Sequence, residues 1–134
     1  MATRGPKPRP KKTATSKTPT CPRSLTGTAA TVYKRLCKLL EPRKILTEED
    51  RDGLMILASS LNQYAAAERH LNKHGLTTDS PRGGLVPSPM LAVQRAAWDR
   101  CKQLLPEFGL TPSARVRMGL VPDAEDEEDD GFDL

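Results

Sequence analysis

The chain has 134 residues and a formal net charge of only +4, because 21 lysines and arginines oppose 17 aspartates and glutamates. The charge is uneven: residues 1–25 carry seven basic and no acidic side chains, whereas residues 121–134 carry eight acidic and no basic ones. This asymmetry favours nucleic acid as a partner. No apolar run resembles a secretory signal or reaches the ~18 residues of a membrane span, so we expect a cytoplasmic protein without a membrane partner.

We predict three regions from the distribution of charge and proline. Residues 1–25 contain five prolines and almost no large apolar side chain, so they are predicted to form a disordered basic arm. Residues 26–120 are predicted to form a helical core for DNA binding and oligomerisation, and residues 121–134 a disordered acidic tail. Basic side chains on the arm would release counterions from a phosphate backbone. The candidate DNA-binding residues of the arm are Lys7, Arg9, Lys11 and Lys12.

Apolar residues at three- and four-residue spacing predict a first helix from about Thr28 to Glu41, which Pro42 ends. Its remaining face, and the residues just after it, are basic. Such a run is usually a solvated helix face, but the neighbouring arm favours a DNA-facing surface. The candidate DNA-binding residues here are Lys34, Arg35, Lys38, Arg43 and Lys44.

A longer second helix is predicted between Thr47, a good N-cap with Asp50 at the capping-box position, and Gly75, a natural stop. A helix of roughly 27 residues would be about 40 Å long, more than a small domain needs. We therefore expect it to pack within its own subunit and also against a neighbouring copy.

Residues 75–88 are rich in glycine and proline and predict a small hairpin or ordered loop. Ser88 and Pro89 then begin a third helix, whose predicted apolar face includes Trp98. A short fourth helix after Thr111 and Pro112 carries two further candidate DNA-binding residues, Arg115 and Arg117. The expected fold class is all-α: a small helical bundle with one long helix, a short hairpin or loop insertion, and disordered tails.

No catalytic constellation, metal site or cofactor-binding motif is apparent. His70 and His74 are one helical turn apart but lack a third ligand at a diagnostic spacing, so a metal site is not predicted. Cys37 and Cys101 occupy apolar helix positions and are expected to pack as reduced thiols. We therefore expect a protein that is not an enzyme.

Four stretches occur together in a distinctive order, although each by itself is only a common helix-start, turn or helix-end sequence. They are Leu46–Asp50, Gly75–Gly84, Pro87–Pro89 and Phe108–Arg115, the last containing Gly-Leu-Thr-Pro-Ser-Ala-Arg. This colinear set spans about residues 28–119 and resembles the compact phage terminase small subunit family. Pro106 departs from the pattern, because a helix former is expected at that position.

The resemblance implies a non-enzymatic component of a viral genome-packaging machine in a tailed phage or prophage, acting in the cytoplasm of the bacterial host. Small terminase subunits form ring-like homo-oligomers, recognise packaging-initiation sites on double-stranded viral DNA, and recruit or regulate the large subunit. The large subunit supplies the ATPase and nuclease activities.

The acidic tail suggests two further hypotheses. In the first, its apolar end docks on the large terminase subunit while the surrounding acids steer the encounter. The candidate partner-binding residues are Asp126, Glu127, Asp129, Asp130, Phe132 and Leu134. In the second, the tail folds onto the basic arm as a phosphate mimic and suppresses non-specific DNA binding.

Two other functions remain open at this point. One is a helix-turn-helix transcriptional regulator, although the long second helix suits a compact recognition helix poorly. The other is a structural assembly or scaffold protein whose basic arm only increases solubility.

Overall fold

The computed structural model describes residues 5–6 and 17–120, so most of the predicted arm and all of the predicted acidic tail lie outside the described residues. The described part is mostly helical with one small antiparallel sheet. Its elements are α1 (Gly27–Leu40), α2 (Arg51–His74), β1 (Thr77–Asp79), β2 (Leu85–Pro87), α3 (Pro89–Leu104) and α4 (Pro112–Arg117). Single 3₁₀ turns occupy Glu41–Arg43, Glu48–Asp50 and Pro106–Phe108. Within these residues, no helix is long and apolar enough to cross a membrane.

The helix starts follow the predicted capping chemistry. The backbone N–H of Thr47 donates to Asp50 Oδ2 at 2.8 Å, and one 3₁₀ turn then leads into α2. Ser88 and Thr111 each accept a hydrogen bond at 3.3 Å from a backbone N–H in the first turn of α3 and of α4. Gly75, with φ +85°, ends α2. These four predictions are therefore confirmed, because each depends on local donors and acceptors.

Helix α2 lies between α1 and α3 and supplies the centre of the core. The apolar face of α1 packs on the N-terminal half of α2, and the 3₁₀ turn before α4 closes one end with Phe108. The cluster consists of Tyr33, Leu36, Cys37, Leu40, Leu46, Leu54, Leu57, Ala58 and Phe108. Cys37 is part of this cluster, and Cys101 is buried on α3, as predicted for packing thiols.

Small side chains bring α2 and α3 close together. Ala67 and Ala97 are fully buried, and the buried Ser60 accepts a hydrogen bond from Arg100 Nε at 3.1 Å. The sequence places Trp98 on the apolar face of α3, but its side chain is 52 % exposed and tilts against Tyr64, with 6.2 Å between ring centroids. An indole does not fit between helices that meet through alanines, so it lies at the edge of the contact.

The predicted hairpin is present. Strands β1 and β2 pair antiparallel, with Thr77 opposite Pro87 and Asp79 opposite Leu85. Gly83 and Gly84 in the connecting turn have positive φ angles, which glycine adopts without steric cost. Every residue of both strands is exposed, so the hairpin projects from the helical core.

Residues 17–25, which we call the strap, pack against α1. Pro19 and Pro22 are buried, and the hydroxyl of Tyr33 donates to the carbonyl oxygens of Pro19 and Thr20 at 3.3 Å each. The thiol of Cys37 lies 3.9 Å from the same Pro19 oxygen. The sequence predicts residues 17–25 as part of the basic arm, yet their contacts are with the helical core. These contacts fix the place from which the N-terminal residues leave the core.

The hydroxyl of Tyr33 can be removed without changing the charge of the side chain or the packing of its ring. We expect Tyr33→Phe to cost about 1 kcal/mol of unfolding free energy, the usual worth of a lost hydrogen bond that leaves its acceptors behind. The strap should also be cleaved faster by trypsin after Lys17 and Arg23. Urea unfolding and a digestion time course, read by mass spectrometry, measure both effects.

Tyr64→Phe is the matched control, since Tyr64 contacts Trp98 on the other side of α2. It should leave strap cleavage at the wild-type rate. Equal cleavage of the strap in both variants and in the wild type would mean that the Tyr33 hydroxyl does not hold it.

Candidate nucleic-acid interface

Helix α1 has two faces of opposite character. One is buried against α2 and the strap through Tyr33, Leu36, Cys37 and Leu40. On the other face Lys34, Arg35 and Lys38 are exposed. Lys34 and Lys38 are one turn apart and Arg35 lies three residues before Lys38, so the three charges form one patch. The predicted basic face of α1 therefore points into solvent.

The strap and α1 enclose a shallow depression, which we call the basic groove. Its two sections share Thr18 and Glu41 in their walls and are therefore continuous. The charged residues along it are Lys17, Lys34, Lys38, Lys44 and Glu41. Four lysines and one glutamate thus line the groove, which makes it a cationic surface suited to phosphate.

Burial changes the pKa of two side chains beneath the groove, Tyr33 and Cys37. Burial is the main reason that the pKa of the Tyr33 phenol is raised above its ordinary value, and the nearby Cys37 adds to the rise. The phenol therefore stays neutral and keeps the proton that it donates to the strap. Burial likewise raises the pKa of the Cys37 thiol. A protonated, buried thiol is a poor nucleophile, which agrees with a packing role for Cys37.

The turn after α1 places its two basic residues differently. Arg43 is half-buried, and its Nη1 donates to the carbonyl oxygen of Gly109 at 2.7 Å. This bond ties the turn to the segment that leads into α4. Lys44 has a left-handed backbone, with φ 53°, and its exposed side chain lines the basic groove. Arg43 thus positions the turn, while Lys44 belongs to the cationic surface.

The two basic candidates on α4 lie at the same end of the molecule as Arg43. Arg115 is half-buried, and its carbonyl oxygen accepts a hydrogen bond from the backbone N–H of Leu120 at 2.9 Å. Arg117 is exposed. The structure therefore brings α4 next to the turn after α1, but neither arginine lines the basic groove.

Several predicted site residues lie outside the described residues. Among the DNA-binding candidates these are Lys7, Arg9, Lys11 and Lys12, and among the partner-binding candidates they are Asp126, Glu127, Asp129, Asp130, Phe132 and Leu134. Lys17 was counted with the arm but was not singled out as a site residue. Its position in the groove depends on the strap, and the burial of Pro19 and Pro22 has no local signature in the sequence.

The histidine pair has the geometry of neighbouring helical residues. The rings of His70 and His74 are 4.5 Å apart, at the exposed end of α2 next to the hairpin. In the described residues, no group of three or more histidine, cysteine, aspartate or glutamate side chains is placed to hold a metal ion.

The order of the helices and the hairpin agrees with the family resemblance noted in the sequence. Comparisons with curated proteins and with solved structures give no match. Comparison with protein families matches residues 29–125 to the family described as "Phage terminase, small subunit". The match begins within α1 and extends past the end of α4. Because it spans most of the sequence, the chain belongs to the phage terminase small subunit family.

Proposed function

We propose that this chain is the non-catalytic, DNA-recognising and regulatory subunit of a genome-packaging terminase from a tailed phage or prophage. In this role it forms a ring-like homo-oligomer in the host cytoplasm and binds viral double-stranded DNA at the packaging-initiation site. It also recruits the large ATPase-nuclease subunit. The basic groove is the observation that carries the proposal.

The dimensions of the groove suit a duplex backbone. Lys34 and Lys38 are four residues apart on α1, about 6 Å along its axis, and Lys44 follows the 3₁₀ turn beyond the helix. Each strand of duplex DNA carries one charge per ~3.4 Å of axis, so lysines with this spacing can meet different phosphates of the same backbone. The exposed lysines of the groove can therefore pair with separate phosphates.

Contacts of this kind orient the protein on DNA but do not read its sequence. Lysine ammonium groups recognise phosphate as point charges, whatever the bases between the strands. The groove therefore accounts for affinity and its salt dependence. Selection of the packaging site needs base contacts from other residues, such as Arg35 or the N-terminal arm.

Exposed apolar side chains on α2 and α3 support the homo-oligomer. Ile56, Val93 and Trp98 are between 40 % and 52 % exposed on the two longest helices. Tryptophan in particular is enriched in the centres of protein interfaces, where its large area becomes buried. We assign these helices to the contact between copies, which leaves the basic face of α1 available for DNA.

The first prediction concerns the basic face. Replacing Lys34, Arg35 and Lys38 together with alanine should weaken binding to random duplex DNA and lower the slope of log K against log salt by about three units, one per lost phosphate contact. Fluorescence anisotropy titrations at several salt concentrations give both quantities.

The charge-matched control replaces Arg69, Lys73 and Arg82, which are exposed elsewhere on the molecule. It removes the same net charge and should change the slope by less than one unit. The same loss in both triple variants would assign the effect to net charge and count against the basic face.

A second prediction concerns self-association. Trp98→Glu places a charge in the proposed contact between copies and should reduce the oligomer to smaller species in multi-angle light scattering. Val116→Glu is the control and should keep the wild-type mass, because Val116 is an exposed apolar residue on α4, outside the proposed contact. If Trp98→Glu keeps the wild-type mass, this surface is not part of the contact between copies.

A third prediction concerns the large subunit. Phe132→Ala with Leu134→Ala should increase the dissociation rate of the complex with the large subunit, since apolar anchors act mainly on dissociation. Neutralising Asp126, Glu127, Asp129 and Asp130 should instead slow association and reduce its salt dependence. Surface plasmon resonance separates the two rates, and wild-type rates in both variants would exclude the tail as the docking segment.

A further inference from the structure

The described chain ends close to the basic groove. A Cβ atom placed on Gly109 would lie 3.0 Å from Leu120 Cδ1, so Leu120 packs directly on Gly109. The carbonyl oxygen of Gly109 accepts the 2.7 Å hydrogen bond from Arg43. The next residue after Arg43 is Lys44, which lines the groove. Leu120 and the guanidinium of Arg43 therefore meet at Gly109, so the start of residues 121–134 lies at the same end of the molecule as Lys44.

The charges of these two parts are opposite. Residues 121–134 contain eight carboxylate side chains and no base, beginning with Asp123, only three residues after Leu120. The groove presents four lysines and one glutamate. At low salt, attraction between them extends over about 10 to 30 Å, which is more than the separation of adjacent side chains.

The tail is also long enough. Fourteen residues span at most about 46 to 50 Å when extended. Residues 34–40 cover about 9 Å along α1, and the four residues from Glu41 to Lys44 add at most about 14 Å. The carboxylates can therefore reach every lysine of the groove from the position of Leu120.

We infer that residues 121–134 occupy the basic groove of their own chain when DNA is absent, with aspartate and glutamate carboxylates at the positions of DNA phosphates. This inference rests on the proposed DNA-binding function of the groove. It identifies residues 121–134 as the segment that competes with DNA for the groove. Tethering gives the tail a local concentration in the millimolar range. Random DNA must displace the tail before it can bind the groove. A packaging site binds more tightly and therefore displaces the tail more easily.

A direct test needs no DNA. A carbodiimide joins carboxylates to amines that are in contact, and mass spectrometry identifies the joined residues in the full-length protein. We expect links from the tail to Lys17, Lys34, Lys38 and Lys44, and their loss above about 0.5 M salt. Lys73 and Lys102 are exposed controls outside the groove and should stay unlinked. Tail links confined to Lys7, Lys11 and Lys12, or spread evenly over all lysines, would overturn the inference.

A mixture of isotopically light and heavy chains shows whether the links join residues of one chain. Links within one chain are expected, because Leu120 lies beside the guanidinium of Arg43, the neighbour of Lys44, in the same subunit. Links mainly between light and heavy chains would overturn docking on the tail's own groove.

The effect of tail docking on DNA affinity is measured by deleting residues 121–134 from the wild type and from each triple variant. Deleting residues 121–134 should tighten binding to random DNA about tenfold near 50 mM salt, and much less near 200 mM. The same deletion should have little effect in the Lys34, Arg35 and Lys38 alanine variant but a full effect in the Arg69, Lys73 and Arg82 control. An equal gain in both triple variants would show that the tail acts only through net charge and would overturn docking in the groove.

The two proposals fail in different ways. If no variant binds DNA, the proposed function fails while the carbodiimide links still report on tail docking. If the wild type binds DNA through the basic face and the links are absent, only the tail inference fails.

Discussion

Tyr33 occupies the point at which the strap, α1 and α2 meet. Its side chain is 1 % exposed, and its hydroxyl donates to two carbonyl oxygens of the strap. Tyr33, Leu36, Cys37 and Leu40 all face the core or the strap, and together they fix the rotation of α1 about its axis. Lys34, Arg35 and Lys38 therefore face solvent. Tyr33 is the member of this set that hydrogen-bonds the strap, and it thereby holds one wall of the basic groove.

The two oppositely charged ends of the sequence leave the core at related positions. The basic arm leaves the core through the strap at one side of the groove, and the acidic tail leaves from Leu120, beside Arg43, at its end. Both charged termini therefore begin near the surface that we assign to DNA. If the large subunit binds the tail, the same event frees the groove, which would couple recruitment of the motor to DNA binding. The net charge of +4 conceals this arrangement, because it adds together parts that act against each other.

The features that follow from neighbouring residues were predicted well. Ser88 with Pro89 and Thr111 with Pro112 mark helix starts because a cap and a fixed φ act within one turn. The solvent-facing side of α1 follows from apolar periodicity. The features that depend on distant partners were not predicted. Ser60 is buried because Arg100 reaches it from α3, and the strap is ordered because Tyr33 meets it from more than ten residues away. Trp98 was placed on a packing face because the sequence alone does not show how closely two alanine-lined helices approach.

The central claim is that DNA binds where α1 and the strap meet. Lysine amines that pair with DNA phosphates are shielded from acetylation, and mass spectrometry of the full-length protein on duplex DNA measures the modification of each lysine. The account predicts that Lys17, Lys34, Lys38 and Lys44 are acetylated slowly in the DNA complex, whereas Lys73 and Lys102 are acetylated as fast as in the free chain. Shielding of Lys73 and Lys102, with none along the basic groove, would contradict it.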